Sequence, residues 1–415
     1  MASVIKVLMV MPHIEPDIFA GNYRRILELL ANGYRIGIEY GTVEINSLVK
    51  FSRLLKRLFN YELEGTLLHI FELKGFGQGY DILSINHMMI NILKFIPLSF
   101  RIRKTWYPDL ILIPDALFSW VIMGSVANLI FKRPLIITIQ LVPRWIIEVK
   151  DVNLKGLYRY FRRKYSAFKA FLQAIAARLY LFILSKAYLI VVSRAGVEPL
   201  SRINNNIFVN PNGIRVVQFN LPKIYDACFV GFHDERKGIF NLLEVWKRVT
   251  AVNPSAKLVT VGGIDDRMKK RWFNAIKSNK LDGNIIYLGK VTDREKFKIL
   301  SASKVFIFPS KHELHPLTVG EALASGLPVV AYDIPALREN YGGCEGVLLC
   351  KLGDVECLAV KVLKLLRMNT AEQRKLAKKA MYFIENNYNW HNTLLREKAI
   401  YLTILKHRRC ANNVS

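Results

Sequence analysis

Along the chain, short apolar runs closed by Gly, Pro, Asn or Ser alternate with longer segments whose apolar positions recur at helical spacing. Val4–Met11, Pro108–Ile113 and Leu135–Ile139 read as strands of a first half. A second set opens at about Tyr225 and continues through Lys257–Gly263, Ile285–Gly289, Val305–Phe308 and Leu327–Tyr332. Helical periodicity predicts a helix from Tyr23 to Asn32 stopped by Gly33, two more over Leu358–Arg367 and Ala371–Asn386, and a last one beyond Trp390 through about Lys406. Apolar strands alternating with helices predict parallel sheets in an α/β chain.

Two stretches invite a membrane reading. The opening MASVIKVLMVMP lacks a basic leader region and a small-residue cleavage site, and reads as a first buried strand. The apolar run Leu110–Phe131 is interrupted by Pro114, Asp115 and Asn128, and fits strand, helix, strand better than one span.

A chain of 415 residues with 52% hydrophobic content exceeds one ordinary core and suits two α/β domains of about 200 residues each. Its five cysteines have no CxxC pairing and no metal-ligand spacing with the histidines, which predicts free thiols in a reducing compartment. The net charge of +27 asks for an anionic partner. No acid falls between Glu44 and Glu62, between Asp81 and Asp109, or between Asp151 and Glu198, so basic runs stand at 50–57, 94–104 and 155–169. In the last, Leu157, Phe161, Tyr165, Phe168 and Leu172 recur at helical spacing among Lys155, Arg159, Arg162, Arg163, Lys164 and Lys169. Such a helix is attracted to an anionic bilayer surface; the alternative is a solvated basic face on an ordinary packed helix. No recognised nucleic-acid module is present, which argues against nucleic acid as the partner.

Candidate chemistry concentrates between His312 and Asp333. Glu313 and Glu321 are separated by seven residues; the first falls on a loop after the strand Val305–Phe308 and the second about a turn into a helix ending at Gly326. In a parallel sheet the loop after a strand's carboxyl end is where ligands bind, and the next helix offers free N–H groups to an anion. Upstream, a strand ending in Gly231 leads to Lys237-Gly238 before a helix, a loop able to hold phosphate oxygens between amides and an ammonium.

Taken together, Ser310, Glu313, Glu321, the SGLPVV segment and Lys237-Gly238 resemble the donor-site signature of glycosyltransferase family 4 and its retaining relatives of the GT-B type. The resemblance implies two Rossmann-like domains facing across a cleft, the first over residues 1–218, the second over 219–390, and a helix from 391 to 415 crossing back to the first. It implies transfer of a sugar from a nucleotide diphospho-sugar, with retention of configuration and no metal or other cofactor, to a glycan or lipid-linked acceptor at the cytoplasmic face of a membrane. Glu313 and Lys237 would be catalytic, Glu313 on the donor sugar's hydroxyls and Lys237 against the leaving diphosphate. Glu321 would hold the ribose; Arg236, Gly231, Gly21, Leu317, Thr318, Val319 and Val291 would complete the donor site.

Several positions depart from the family pattern. Gly21 is the one glycine kept of a Gly-Gly pair, Gln140 stands where many relatives place His, and Phe232 takes the place of an Arg on the diphosphate. These departures motivate an alternative, a non-catalytic subunit that binds sugar nucleotide or glycan beside a partner enzyme. His315 takes the place usually filled by Phe and is not assigned a catalytic role. Arg144 faces either the cleft or the basic surface. Pro211, Asn212 and Gly213 match a family landmark, and are also good turn chemistry because Asn and Gly tolerate positive φ.

Overall fold

The computed structural model describes residues 4–10, 21–44, 68–72 and 85–412. The basic run 50–57 and the loop carrying Ala20 lie outside the described residues. The chain divides into two compact units, one formed by Met1–Pro211 with His391–Ser415 and the other by Asn212–Trp390.

The first unit holds a seven-stranded sheet in the order β3-β2-β1-β4-β5-β6-β7: Ile5–Val10 (β1), Ile38–Glu44 (β2), Leu68–Glu72 (β3), Leu110–Ile113 (β4), Leu135–Ile139 (β5), Tyr188–Val191 (β6) and Ile207–Val209 (β7). All neighbours pair in parallel, from Tyr40↔Leu68 at one end to Leu189↔Ile207 at the other. β4 and β5 are buried along their whole length, as uninterrupted aliphatic runs demand when helices cover both faces. The segment Leu110–Phe131 is strand, turn and helix, the helix being Phe118–Phe131.

The second unit holds a six-stranded parallel sheet in the order β10-β9-β8-β11-β12-β13: Tyr225–Val230 (β8), Leu258–Val261 (β9), Ile285–Tyr287 (β10), Ser303–Phe308 (β11), Val329–Tyr332 (β12) and Val347–Cys350 (β13). The chain winds outward from β8 to β10 and then returns to β11 on the other side of β8, so the order reverses between β8 and β11. Both units are thus doubly wound α/β folds, and such reversals open the crevice at the strands' carboxyl ends where ligands bind.

Several local expectations are corrected. The α-helix Gly21–Asn32 does end before Gly33, but it starts two residues earlier than expected, and Gly33 opens a 3-10 turn, Gly33–Ile36, whose left-handed cap is Gly37. Gly21 itself is the helix's first residue rather than part of a loop. The basic run 155–169 is not one helix but two, Leu154–Arg162 and Ala167–Lys186, and Leu157 and Phe161 point into the core. Gly213 does not adopt positive φ; a Cβ there would stand 2.5 Å from the Trp390 ring, so its smallness makes room for that indole. Two cysteines are not free: Cys350 at the end of β13 and Cys357 in the first turn of the helix Val355–Leu366 form a disulfide, because the short turn between those elements brings their Cα atoms within 5.9 Å. Cys228 and Cys344 are buried thiols and Cys410 an exposed one.

The last helix, Trp390–Asn412, is fastened to the first unit by a buried polar network. The Arg25 guanidinium meets Glu397 at 2.5 Å with both side chains fully buried, and Asn210 Nδ2 donates to the same carboxylate at 2.6 Å. Tyr401 OH donates to the other Glu397 oxygen at 2.9 Å. A buried charge is tolerable only when paired and hydrogen-bonded, and the Glu397 carboxylate accepts from Arg25, Asn210 and Tyr401.

Candidate functional site

The site is assembled by the loops at the β8/β11 reversal. β8 ends at Val230, and Gly231 to Gly238 leads into the helix Ile239–Val252. Gly238 adopts φ +72°, and a Cβ there would stand 2.0 Å from the Pro309 carbonyl oxygen. Only glycine permits this close pass, which lays the loop after β8 against the end of β11. Lys237 is thereby delivered to Glu313: its Nζ lies 2.5 Å from Glu313 Oε1. Ser310 Oγ donates to the same oxygen at 2.6 Å, and the Lys237 N–H donates to Asp234 Oδ1 at 2.7 Å. The two residues assigned catalytic from the sequence are in direct contact, and the ammonium lies 5.6 Å from the Phe308 ring centroid.

Glu313 sits on a loop held from behind. Asn340 Nδ2 donates to the Leu314 carbonyl at 3.0 Å, Tyr341 OH donates to the Pro316 carbonyl at 3.3 Å, and His315 packs between the rings of Tyr341 and Tyr388. The helix Leu317–Ala324 follows, with Glu321 in its second turn. Val319 N–H is committed to Pro316 O at 3.1 Å, so the first-turn groups without intrahelical acceptors belong to Leu317 and Thr318.

Glu321 has a partner that sequence reasoning missed. Lys296 Nζ lies 2.7 Å from Glu321 Oε1 and 2.7 Å from Asp293 Oδ1. Lys296 belongs to the helix Asp293–Ser301, whose start is fixed by a Thr292–Glu295 capping box. Burial by itself would lower the Lys296 pKa; the charges of Glu321 and Asp293 outweigh that cost, and the pKa is raised, so the ammonium persists. Arg215 approaches Asp293 at 3.8 Å. A single lysine among 60 Lys and Arg carries no mark in the sequence, and only the turn of that helix aims it at Glu321.

The remaining expected donor residues are spread more loosely. Arg236 pairs with Asp234 at 3.6 Å and is exposed. Val291 is half-buried against the core after β10. Phe232, in the place expected for Arg, is exposed. Gly21 and Gln140 belong to the first unit, Gln140 buried just after β5, and Arg144 is exposed and hydrogen-bonds Glu148. Among the described residues, no group of three or more His, Cys, Asp or Glu is placed to hold a metal ion.

His233, inside the phosphate-type loop, is buried among the rings of Phe229, Trp272 and Tyr287 at 5.0–5.4 Å. Its Nδ1 meets Gly231 O at 3.1 Å. Burial pushes its pKa from 6.5 down to about 4, despite the opposing pull of Gly231, Asp234 and Gly263. The unfolded chain therefore binds the proton first as pH falls, so stability is full above pH 6.5 and is lost as pH drops toward about 4. The loss amounts to about 3 kcal/mol. His233→Phe, which keeps the ring contacts, is expected to flatten this part of the pH dependence in denaturant titrations; an unchanged slope would assign it to other groups.

The family match falls within the unit that holds this site. Residues 225–368 match the family model described as Glycosyl transferases group 1. An uncharacterized glycosyltransferase of Methanocaldococcus jannaschii is 38% identical over 136 residues, covering 33% of this chain and 29% of its own length. The phosphatidyl-myo-inositol mannosyltransferase of Mycolicibacterium smegmatis is 23% identical over 231 residues, covering 52% of this chain and 58% of its own length. The chain thus spans well under two thirds of these relatives. Among solved structures, HepE of Anabaena in complex with UDP and glucose superposes with a TM-score of 0.70 at 16% identity, covering 96% of this chain and 100% of that one. The residues that match the group 1 model carry Lys237, Glu313 and Glu321, and the chain has the GT-B fold.

Proposed function

We propose that the chain is a glycosyltransferase that moves a sugar from a nucleotide diphospho-sugar to a lipid-linked or polysaccharide acceptor at the cytoplasmic face of a membrane, with retention of configuration and without a metal. The observation that carries this reading is the convergence at the β8/β11 reversal of two carboxylates, each held by its own lysine: Lys237 on Glu313 and Lys296 on Glu321. A carboxylate accepts from two vicinal hydroxyls at once, which suits Glu321 to a ribose and Glu313 to the transferred sugar. Lys237 supplies positive charge where the leaving diphosphate gains negative charge, a contribution of about 3 kcal/mol in comparable sites. In this scheme the donor phosphate competes with Glu313 for the Lys237 ammonium, and the departing phosphate oxygen takes the proton from the acceptor hydroxyl. A lipid acceptor is in keeping with the name of the mycobacterial relative, and the donor class with the nucleotide in the Anabaena structure.

Phe232 and Gln140 favour a second reading, a subunit that binds a sugar nucleotide without acting on it. Hydrolysis of the donor by the purified chain alone would argue against that reading. A thermal-shift screen against UDP-, GDP- and ADP-sugars tests the proposal: a ligand that binds only the folded chain adds about 2.7 kcal/mol of stability at 100 times its Kd. One nucleotide series is expected to raise the unfolding midpoint, and a flat response to all three would overturn the reading.

A further inference from the structure

The helix Ala167–Lys186 is the one described helix long and apolar enough to cross a membrane, yet it lies on the first unit. Ala170, Ala174, Ala177, Tyr180, Leu181 and Leu184 are buried, and Tyr180 OH donates to the Ala116 carbonyl at 2.8 Å. A helix anchored along one side in this way cannot stand across a bilayer. Its other side is nevertheless apolar: Phe168 is 75% exposed, Phe182 60%, Leu179 47%, Phe171 46% and Ile175 43%, with Leu172 also exposed. At 100° per residue these six positions fall within an arc of about 100°, a single stripe some 20 Å long. Water is a poor neighbour for such a stripe, and contiguous exposed apolar surface of this kind marks an interaction site.

The surroundings identify the partner. Arg162, Arg163 and Lys164 stand exposed at the stripe's amino end, Lys186 at its carboxyl end, and Arg178 along one edge. No acid occurs anywhere between Asp151 and Glu198. Next to the stripe a groove of about 580 Å³ is lined by Leu154, Ile175, Leu179 and Phe182 together with Arg178 and Arg202. The helix Ile85–Thr105 repeats the pattern, with Leu93, Ile96 and Phe100 exposed beside Arg101, Arg103 and Lys104, and both helices pack on Phe118–Phe131. Aromatic and aliphatic side chains framed by cations match an interface with hydrocarbon on one level and anionic headgroups just above it. A second copy of this chain would set the same cations against each other.

We propose that the Phe168–Phe182 stripe inserts into the headgroup boundary of an anionic bilayer, so that the helix lies in the plane of the membrane with its buried side on the protein. This deepens the membrane part of the proposed function and is independent of nucleotide binding, so either can fail alone.

The test is co-sedimentation of the full chain with vesicles of phosphatidylcholine alone and of phosphatidylcholine with phosphatidylglycerol in equal parts. The wild type is expected to pellet with the second only, and to stay partly bound at high salt because insertion is not screened. Phe168→Ser/Phe171→Ser/Phe182→Ser is expected to lower the partition coefficient by about two orders of magnitude. Far-UV circular dichroism and the melting midpoint verify that the variant is folded. As a check that needs no core change, a polarity-sensitive dye on Phe182→Cys in a Cys410→Ser background is expected to shift to the blue on anionic vesicles, and the same dye on Lys270→Cys is not. The proposal is overturned if the wild type stays in the supernatant, if the triple variant pellets like it, if the two dyes respond alike, or if the stripe proves to hold a dimer that the triple variant breaks.

Discussion

Glu313→Gln is expected to bind the nucleotide-sugar donor as the wild type does and to turn it over about a thousandfold more slowly. The amide keeps the side chain's shape and an oxygen for Ser310 Oγ, now 2.6 Å from the carboxylate, but removes the charge that orders Lys237. If Glu313 acts on the sugar near the reacting centre, its interaction matters most as that centre gains positive character, and the loss falls on kcat. Lys237→Ala is expected to be as slow and in addition to raise KM, because the ammonium would serve the diphosphate in the ground state too. Rates and KM values of the two variants separate these roles. A Glu313→Gln variant that loses affinity but keeps kcat would reverse the assignment.

Glu321→Ala is expected to weaken nucleotide binding by at least about a hundredfold, as when a site built to accept hydroxyl hydrogen bonds loses its acceptor. A second consequence arises inside the protein. Lys296, now held between Glu321 and Asp293, would keep only Asp293, and an under-compensated buried ammonium costs about 1–3 kcal/mol. Removing both charges with Glu321→Ala/Lys296→Met is expected to restore the melting midpoint while affinity stays low. Recovery of affinity in the double variant would mean that Glu321 only restrains the lysine.

Much of this arrangement is legible in the sequence, for a specific reason. β8, β11 and β12 contain the apolar runs Ala227–Val230, Val305–Phe308 and Val329–Tyr332, the first two closed by Gly231 and Pro309, and in a parallel sheet that pattern is what burial on both faces requires. Because loops after such strands form the ligand crevice, Lys237 and Glu313 are located by chain position alone. β2, with Glu39, Gly41 and Glu44, breaks the apolar run and leaves no such signature. Contacts between distant segments leave no local mark: Arg25 and Glu397 are 372 residues apart, and Lys296 meets Glu321 only through the packing of two helices. The helix Ala167–Lys186 fails differently. Both its faces are apolar, so periodicity is nearly blind to which one meets the core and which is exposed.

The most direct measurement is single-turnover release of the nucleoside diphosphate from the donor that stabilises the chain most, followed at saturating donor for the wild type and for Glu313→Gln. Release by the wild type, with slow release by a Glu313→Gln variant that binds the donor equally well, is the expected result; equal release by both proteins would contradict the assignment of the chemistry to the Lys237–Glu313 pair.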